Sequence, residues 1–280
     1  MGNRRMLSRC ITVEAVGLHY AEAGTGEPVV LLHGFPTWSY LWREVQPLLA
    51  ERSLHTFAVD LMGFGRSDKP EYRDLGVAAQ ADLVAGFIVT LGVGPVALVG
   101  HDLGAVVAQQ VAAKFPGVVS RLVLVSPLVE ERWPTQELER FRPAELARRT
   151  TVDELVRHLR ETFPLQTAAR TLDAAALEGY LAPWSTPAGM GAFFQLARSA
   201  QAATLDEVAA RRSKLWAPTL VLAGQEDAIS PVKEATALVK TLPAATLETL
   251  REVGHLAPEE APREVAEAIS SFLARTSRLV

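Results

Sequence analysis

The chain of 280 residues is 49% hydrophobic and 21% charged, with a net charge of −4. That balance belongs to a globular protein with a sizeable core, and it makes no electrostatic case for nucleic acid or an anionic membrane as partner. The single cysteine, Cys10, excludes an internal disulfide framework and a thiolate metal site. The first residues, Met1-Gly-Asn-Arg-Arg-Met-Leu7, are basic but lack the apolar stretch of a signal peptide. No apolar run reaches the ~18 residues of a membrane span, so a cytoplasmic protein is expected.

In chain order, residues 11–16 and 18–23 are predicted as a hairpin about Gly17. The turn Gly24-Thr-Gly-Glu-Pro28 leads into an apolar strand that ends in His33-Gly34-Phe35-Pro36. Leu41, Trp42, Val45, Leu48 and Leu49 give residues 39–51 a helical spacing. A short strand over 56–60 is followed by the glycine-rich turn Gly63-Phe-Gly65. A helix over 77–91 is ended by Gly92 and Gly94. Residues 96–99 form an apolar strand, 103–115 a helix, and 121–125 another buried strand. This alternation implies a mostly parallel sheet covered on both faces, with ligands bound at the carboxyl ends of the strands.

The pattern changes between about 129 and 214, where charges crowd in and no strand-like run occurs. Thr151-Val-Asp-Glu154 has the form of a capping box, with Leu155, Leu159 and Phe163 as an apolar stripe behind it. Residues 174–181 and 191–203 read as further helices separated by Pro183 and Pro187. An all-helical insertion of this kind is what a cap over a site looks like. The sheet resumes over 219–222 and 246–250, and an amphipathic helix over 262–273 ends the pattern.

The chemistry concentrates at Val96-Ala-Leu-Val-Gly-His-Asp-Leu-Gly-Ala105, where a strand meets a helix at Asp102 between Gly100 and Gly104. A side chain on so sharp a corner needs small neighbours. Hydrolases with this corner commonly place a serine there, which needs a base before it becomes nucleophilic. A carboxylate, with an ordinary pKa near ~3.9, is already ionised at neutral pH and can displace a leaving group from an sp3 carbon. Downstream, Asp227 ends the strand Pro218-Thr-Leu-Val-Leu-Ala-Gly-Gln-Glu-Asp227, and His255 follows in Val253-Gly-His255. Glu226, Glu130 and Glu131 are the rivals of Asp227 as the acid behind the histidine.

With nucleophile, acid and histidine in that order, the chain resembles the α/β-hydrolase superfamily, in the branch of epoxide hydrolases and haloalkane or haloacetate dehalogenases. His33-Gly-Phe-Pro36, Asp60-Leu-Met-Gly-Phe-Gly-Arg-Ser-Asp-Lys-Pro70 and Gly100-His-Asp-Leu-Gly104 carry the resemblance. It spans nearly the whole chain, with a looser match in the middle third. It implies an α/β fold with a mostly parallel eight-stranded sheet, helices on both faces, a core over residues 1–128 and 216–280, and a helical cap over 129–215. It further implies that Asp102 forms a covalent alkyl ester and that His255, oriented by Asp227, activates water to hydrolyse it. The backbone N–H groups of Phe35 and Leu103 would hold the oxyanion.

The leaving group divides the branch. Epoxide hydrolases protonate the epoxide oxygen from cap tyrosines, and Tyr180 is the only tyrosine in the cap region. His158 is the candidate second donor. A halide calls for N–H donors, for which Trp133 and Trp184 are the cap candidates. Leu103 stands where haloalkane dehalogenases and many epoxide hydrolases carry tryptophan, and where haloacetate dehalogenases carry arginine. Phe35 stands where one dehalogenase group has asparagine. The expectation is an epoxide hydrolase giving vicinal diols from a small hydrophobic substrate and water, without metal or cofactor, as a monomer or homodimer. The alternatives are a haloalkane or haloacid dehalogenase, an ester or lactone hydrolase with Asp102 as general base, and a non-enzymatic sensor with a dead site.

Overall fold

A computed structural model describes residues 6–277, the side chains of residues 131, 202 and 203 excepted. Its strands are β1 (Leu7–Val13), β2 (Val16–Ala23), β3 (Glu27–Leu32), β4 (Leu54–Val59), β5 (Val96–His101), β6 (Val119–Val125), β7 (Thr219–Gly224) and β8 (Ala245–Leu250). They form one sheet in the order β1-β2-β4-β3-β5-β6-β7-β8. The first two pairings, β1 with β2 and β2 with β4, are antiparallel, and all the others are parallel.

Alternation along the central strands explains the layers. Val30 and Leu32 of β3 join one apolar cluster with α2 (Val77–Leu91) and α3 (Leu103–Lys114). Val29 and Leu31 point the other way, into a cluster with α1 (Val45–Ala50) and α12 (Pro262–Thr276). A strand covered on both faces needs apolar side chains at every position, and Val29, Val30, Leu31 and Leu32 are all fully buried. The strand order reverses at β3, between β4 and β5. The crevice beyond the carboxyl ends of β3 and β5 is therefore where a ligand would lie.

Between β6 and β7 the described residues contain no strand. They form α4 (Gln136–Phe141), α5 (Ala144–Arg149), α6 (Val152–Thr162), α7 (Ala174–Leu181), α8 (Pro187–Ser199) and α9 (Ala202–Ala209), joined by short 3-10 turns. Thr151 and Glu154 cap α6 reciprocally. The insertion is fastened over the crevice by indole N–H groups: Trp184 Nε1 donates to the Pro36 carbonyl (2.8 Å) and Trp38 Nε1 to that of Gly179 (3.0 Å). The chain then completes the sheet and its cover with α10 (Val232–Thr241) and α11 (Ala257–Glu260). Among the described residues, no helix is long and apolar enough to cross a membrane.

Three local expectations shift. The hairpin turns at Glu14–Ala15, both with positive φ, while Gly17 lies inside β2 opposite Thr12. Gly17 is needed there because the Asp68 carboxylate packs against it and accepts its N–H (2.6 Å). The helix expected over 39–51 is a 3-10 turn (Ser39–Trp42) followed by α1. Pro47 has no N–H to donate and is tolerated only in a first turn, so the helix restarts just before it. Pro187 likewise opens α8 behind the Thr186 cap instead of preceding it, and the chain breaks again at Ala200.

The elbow between β5 and α3 depends on close backbone approach. A Cβ at position 104 would lie 2.4 Å from the His33 carbonyl oxygen and 2.7 Å from that of Leu32. Gly104→Ala is expected to lower stability by about 1–3 kcal/mol through overpacking. Gly117→Ala, with nothing within 4 Å of the added carbon, is expected to be near neutral. Urea unfolding of the two variants beside the unaltered protein checks the contrast.

Candidate active site

Asp102 sits at the corner with φ 53° and ψ −118°, a conformation an L-residue adopts only when its surroundings impose it. Gly100, Gly104 and Gly34 leave the room: a Cβ on Gly34 would lie 2.4 Å from Asp102 Cβ. The Phe35 N–H donates to Asp102 Oδ1 (2.8 Å). Leu103 is the first residue of α3, so its N–H is among those with no acceptor within the helix. Of the two backbone groups expected to hold an oxyanion, that of Phe35 is bonded to the Asp102 carboxylate and that of Leu103 follows Asp102 directly in the chain.

The loop carrying Phe35 is fixed by His33. Its Nε2 accepts the Leu61 N–H (3.0 Å), so Nδ1 carries the proton and donates to the Gly34 carbonyl (2.9 Å). Burial holds this imidazole below its ordinary pKa and so in its neutral form. The Phe35–Pro36 peptide is cis. Asp60 serves the same scaffold. Its carboxylate accepts the N–H groups of Ser39 and Arg66, both at 2.8 Å, and the His19 Nδ1–H at 3.1 Å.

His255 comes to Asp102 from the loop after β8. Its Nε2 is 3.3 Å from Asp102 Oδ2, and its Nδ1 donates to the Asp227 carboxylate at 2.9 and 3.1 Å. Asp227 Oδ1 also accepts the N–H groups of Ile229 and Ser230, which sets the plane of the carboxylate. Of the rival acids, Glu226 is exposed and Glu130 pairs with Arg212 (2.7 Å). The side chain of Glu131 lies outside the described residues. The structure thus brings Asp102, His255 and Asp227 together, all within 4% of full burial.

The charges follow from this confinement. Burial acts to lower the pKa of His255, but the Asp227 carboxylate and the hydrogen bond that the ring donates to Asp102 override it and push the imidazole up to about 10. Burial acts to raise Asp227, and the adjacent imidazolium and its hydrogen bonds hold it below the ordinary carboxylate range instead. Both shifts favour an imidazolium paired with the Asp227 carboxylate.

A cavity of about 360 Å3 opens onto Phe35, Asp102 and His255 on the sheet side. On the insertion side it meets Arg132, Gln136, Glu137 and Gln166. The four side chains expected to serve a leaving group do not line it. Tyr180 is fully buried, stacks on Phe163, and donates its hydroxyl to Glu259 (2.6 Å). Its proton is already committed to a carboxylate, so the expectation that it binds the substrate is corrected. Trp184 gives its N–H to Pro36, as described, and Trp133 gives its own to the Gln201 carbonyl (2.9 Å). His158 donates from Nε2 to Glu137 (2.7 Å) and so stands one residue behind the cavity wall.

Several residues that the motif reading passed over hold the site. His101 donates from Nε2 to the His255 carbonyl (2.8 Å), and burial together with the neighbouring His255 pushes it down to about 4. Gln166 accepts the His255 N–H through its carbonyl (2.8 Å). Glu260 accepts the Gly254 N–H at 3.1 Å and the Ala168 N–H at 2.7 Å. His101 was visible as the neighbour of Asp102, and Glu260 as one of an acid pair shortly after His255. Gln166 acts through its backbone and left no mark in the sequence.

A family model for the alpha/beta hydrolase fold matches residues 27–262. A haloalkane dehalogenase of Mycolicibacterium paratuberculosis is 30% identical over 278 residues, spanning 91% of this chain and 87% of that protein. Among solved structures, a thermophilic esterase from Thermogutta terrifontis has 28% identity and a TM-score of 0.80, covering 96% of this chain and 98% of its own. The epoxide hydrolase CorEH has a TM-score of 0.85 at 24% identity, covering 97% and 99%, a likeness of fold alone. Proteins named for three different bond cleavages thus share the architecture, and the fold does not choose among them. The chain belongs to the α/β-hydrolase superfamily, in its dehalogenase and epoxide hydrolase-like branch.

Proposed function

We propose that the protein hydrolyses a small, largely apolar substrate through a covalent ester on Asp102. A carboxylate oxygen of Asp102 attacks an electrophilic sp3 carbon, and the leaving group departs with the bonding pair. Water then gives a proton to His255 and attacks the Asp102 carbonyl carbon. The oxyanion is held by the Phe35 and Leu103 N–H groups. Collapse breaks the bond to the alkyl oxygen, which leaves as an alcohol with the proton from His255, and the Asp102 carboxyl then passes its remaining proton to His255, restoring the carboxylate. The observation that carries this reading is the unbroken line Asp227–His255–Asp102 ending at a cavity of small-molecule size.

The charge state of the histidine fits the two halves. With Asp102 ionised, His255 keeps its proton and cannot act as a base. Esterification removes the Asp102 charge, one of the groups that raise the imidazole pKa, and frees the imidazole to deprotonate water. A serine at position 102 would offer no such alternation.

Carbon–halogen cleavage is the second reading, supported by the dehalogenase relative. A halide needs donors without proton transfer, and the amide side chains of Gln136 and Gln166 with the Arg132 guanidinium are those at the cavity wall. Epoxide opening needs a proton at the departing oxygen.

His255→Gln is expected to leave attack by Asp102 intact while blocking hydrolysis. Turnover falls by ~10³-fold or more, and an adduct accumulates on the peptide containing Asp102, read by mass spectrometry. A variant that hydrolyses an ester and never gains mass would instead place Asp102 as a general base.

In Asp102→Asn, which mimics the neutral ester, the His255 pKa should fall below the value of about 10 expected for the unaltered protein. An NMR titration of the imidazole reads this directly. Because the folded state raises this pKa, the imidazolium adds stability below the unfolded value near ~6.5, and the contribution is lost as pH rises through about 10. The stability advantage of the unaltered protein over His255→Gln should narrow across that window in urea unfolding.

A further inference from the structure

We propose that Glu137, paired with His158, gives the proton to the departing oxygen, and that the substrate is accordingly an epoxide; this rests on Asp102 acting as the nucleophile. An alkoxide is a poor leaving group unless it is protonated as the carbon–oxygen bond breaks, whereas a halide takes no proton. An epoxide-opening site therefore needs an acid facing the nucleophile. Phenols do not fill that place here. Among the described residues no tyrosine lines the cavity. Tyr180 is bound to Glu259, Tyr40 is stacked on Trp38, Tyr20 packs against Phe57 and Phe87, and Tyr72 is on the surface.

Glu137 is an acid of this cavity. It lines the same cavity as Asp102 and His255, from the insertion, and is held there by α4, whose first turn is capped by the Thr135 hydroxyl. One carboxylate oxygen accepts the His158 Nε2–H at 2.7 Å, and the side chains are 32% and 15% exposed. His158 is fixed from α6 with its ring edge against Phe141. Among the described residues, the only other charged side chain at this part of the wall is Arg132, which donates from Nε to Glu234 (2.8 Å). A carboxyl and an imidazole in hydrogen-bond contact share one exchangeable proton, and an imidazole trades protons readily near neutral pH.

The step balances. Asp102 attacks one epoxide carbon, and the carbon–oxygen bond breaks with its electron pair going to oxygen. The oxygen takes the proton held by the pair and leaves Glu137 as a carboxylate against neutral His158. The pair is recharged from solvent, to which the His255 imidazolium gives up its resting proton once Asp102 is esterified; one proton of the attacking water then passes through His255 to the product hydroxyl, and the other returns from the Asp102 carboxyl to His255. The sum is epoxide plus water to vicinal diol.

The test measures single-turnover alkylation of Asp102 in the His255→Gln background, where the ester persists, with 1,2-epoxyhexane and 1-bromohexane as probes. Adding Glu137→Gln should slow alkylation by the epoxide by ~10²- to 10⁴-fold. Alkylation by the bromide should keep its rate to within about threefold. Glu137→Asp should recover part of the loss with the epoxide. Equal slowing of both probes makes Glu137 a determinant of pocket shape and overturns the proposal, as does no slowing of either. Alkylation by the bromide alone when Glu137 is intact overturns the epoxide assignment and leaves the nucleophile standing. Absence of alkylation by both probes removes Asp102 as nucleophile, and this inference with it. Thermal melts of each variant, unchanged from the background, separate these outcomes from misfolding.

Discussion

His255 is the one group through which every part of the site is connected, and its position is held by its backbone as much as by its ring. Its N–H is bonded to Gln166 of the insertion, its carbonyl to the His101 ring beside Asp102, and the preceding Gly254 N–H to Glu260. A Cβ on Gly254 would lie 2.5 Å from the Ala168 nitrogen, so the loop and the insertion touch backbone to backbone. The ring then needs little freedom to reach both carboxylates. A buried imidazolium is stable here only because Asp102 and Asp227 flank it at hydrogen-bond distance, since an unpaired buried charge is strongly disfavoured.

The acid pair that follows the histidine divides this work. Glu260 ties the loop to Ala168, and Glu259 ties α11 to the insertion through Tyr180 and to the sheet side through a two-pronged contact with Arg43, at 2.5 and 2.7 Å. Arg43 also lies 4.1 Å over the Tyr40 ring. Arg43 and Glu259 are largely shielded from solvent, so this cluster resists salt in a way that the exposed Arg148–Glu145 pair does not. It explains why the one tyrosine of the insertion faces inward: its hydroxyl completes a buried ion pair.

The parts of the sequence that spoke most clearly were those where backbone geometry restricts side-chain choice. The Gly100–Gly104 frame around Asp102 and the apolar runs of β3, β5 and β6 could be read because close approach and two-sided burial leave few alternatives. The pairing of His255 with Asp227 was legible from order and strand ends. The insertion was legible as helical and no further, since helical spacing says which side chains are apolar but not which cavity wall they form. Tyr180, Trp184 and Trp133 were singled out for their donor groups, and those donors are bound to Glu259, Pro36 and Gln201 by contacts 79, 148 and 68 residues apart in sequence. Separations of that size carry no local signal. Glu137 was passed over because a glutamate in a charged helix reads as surface.

The bond from the His255 N–H to the Gln166 carbonyl has a kinetic consequence. Residues 166–168 cannot lift away from the loop after β8 without also breaking the Ala168 contact to Glu260 and releasing the histidine's own backbone. Along that edge, opening the cavity would displace the backbone that holds the histidine. The arm from Arg132 to Glu137, on the same cavity, carries no such tie to the histidine loop. On the covalent route proposed above, opening at that arm would leave His255 in register, so the ester could exchange its water without disassembling the group that activates it.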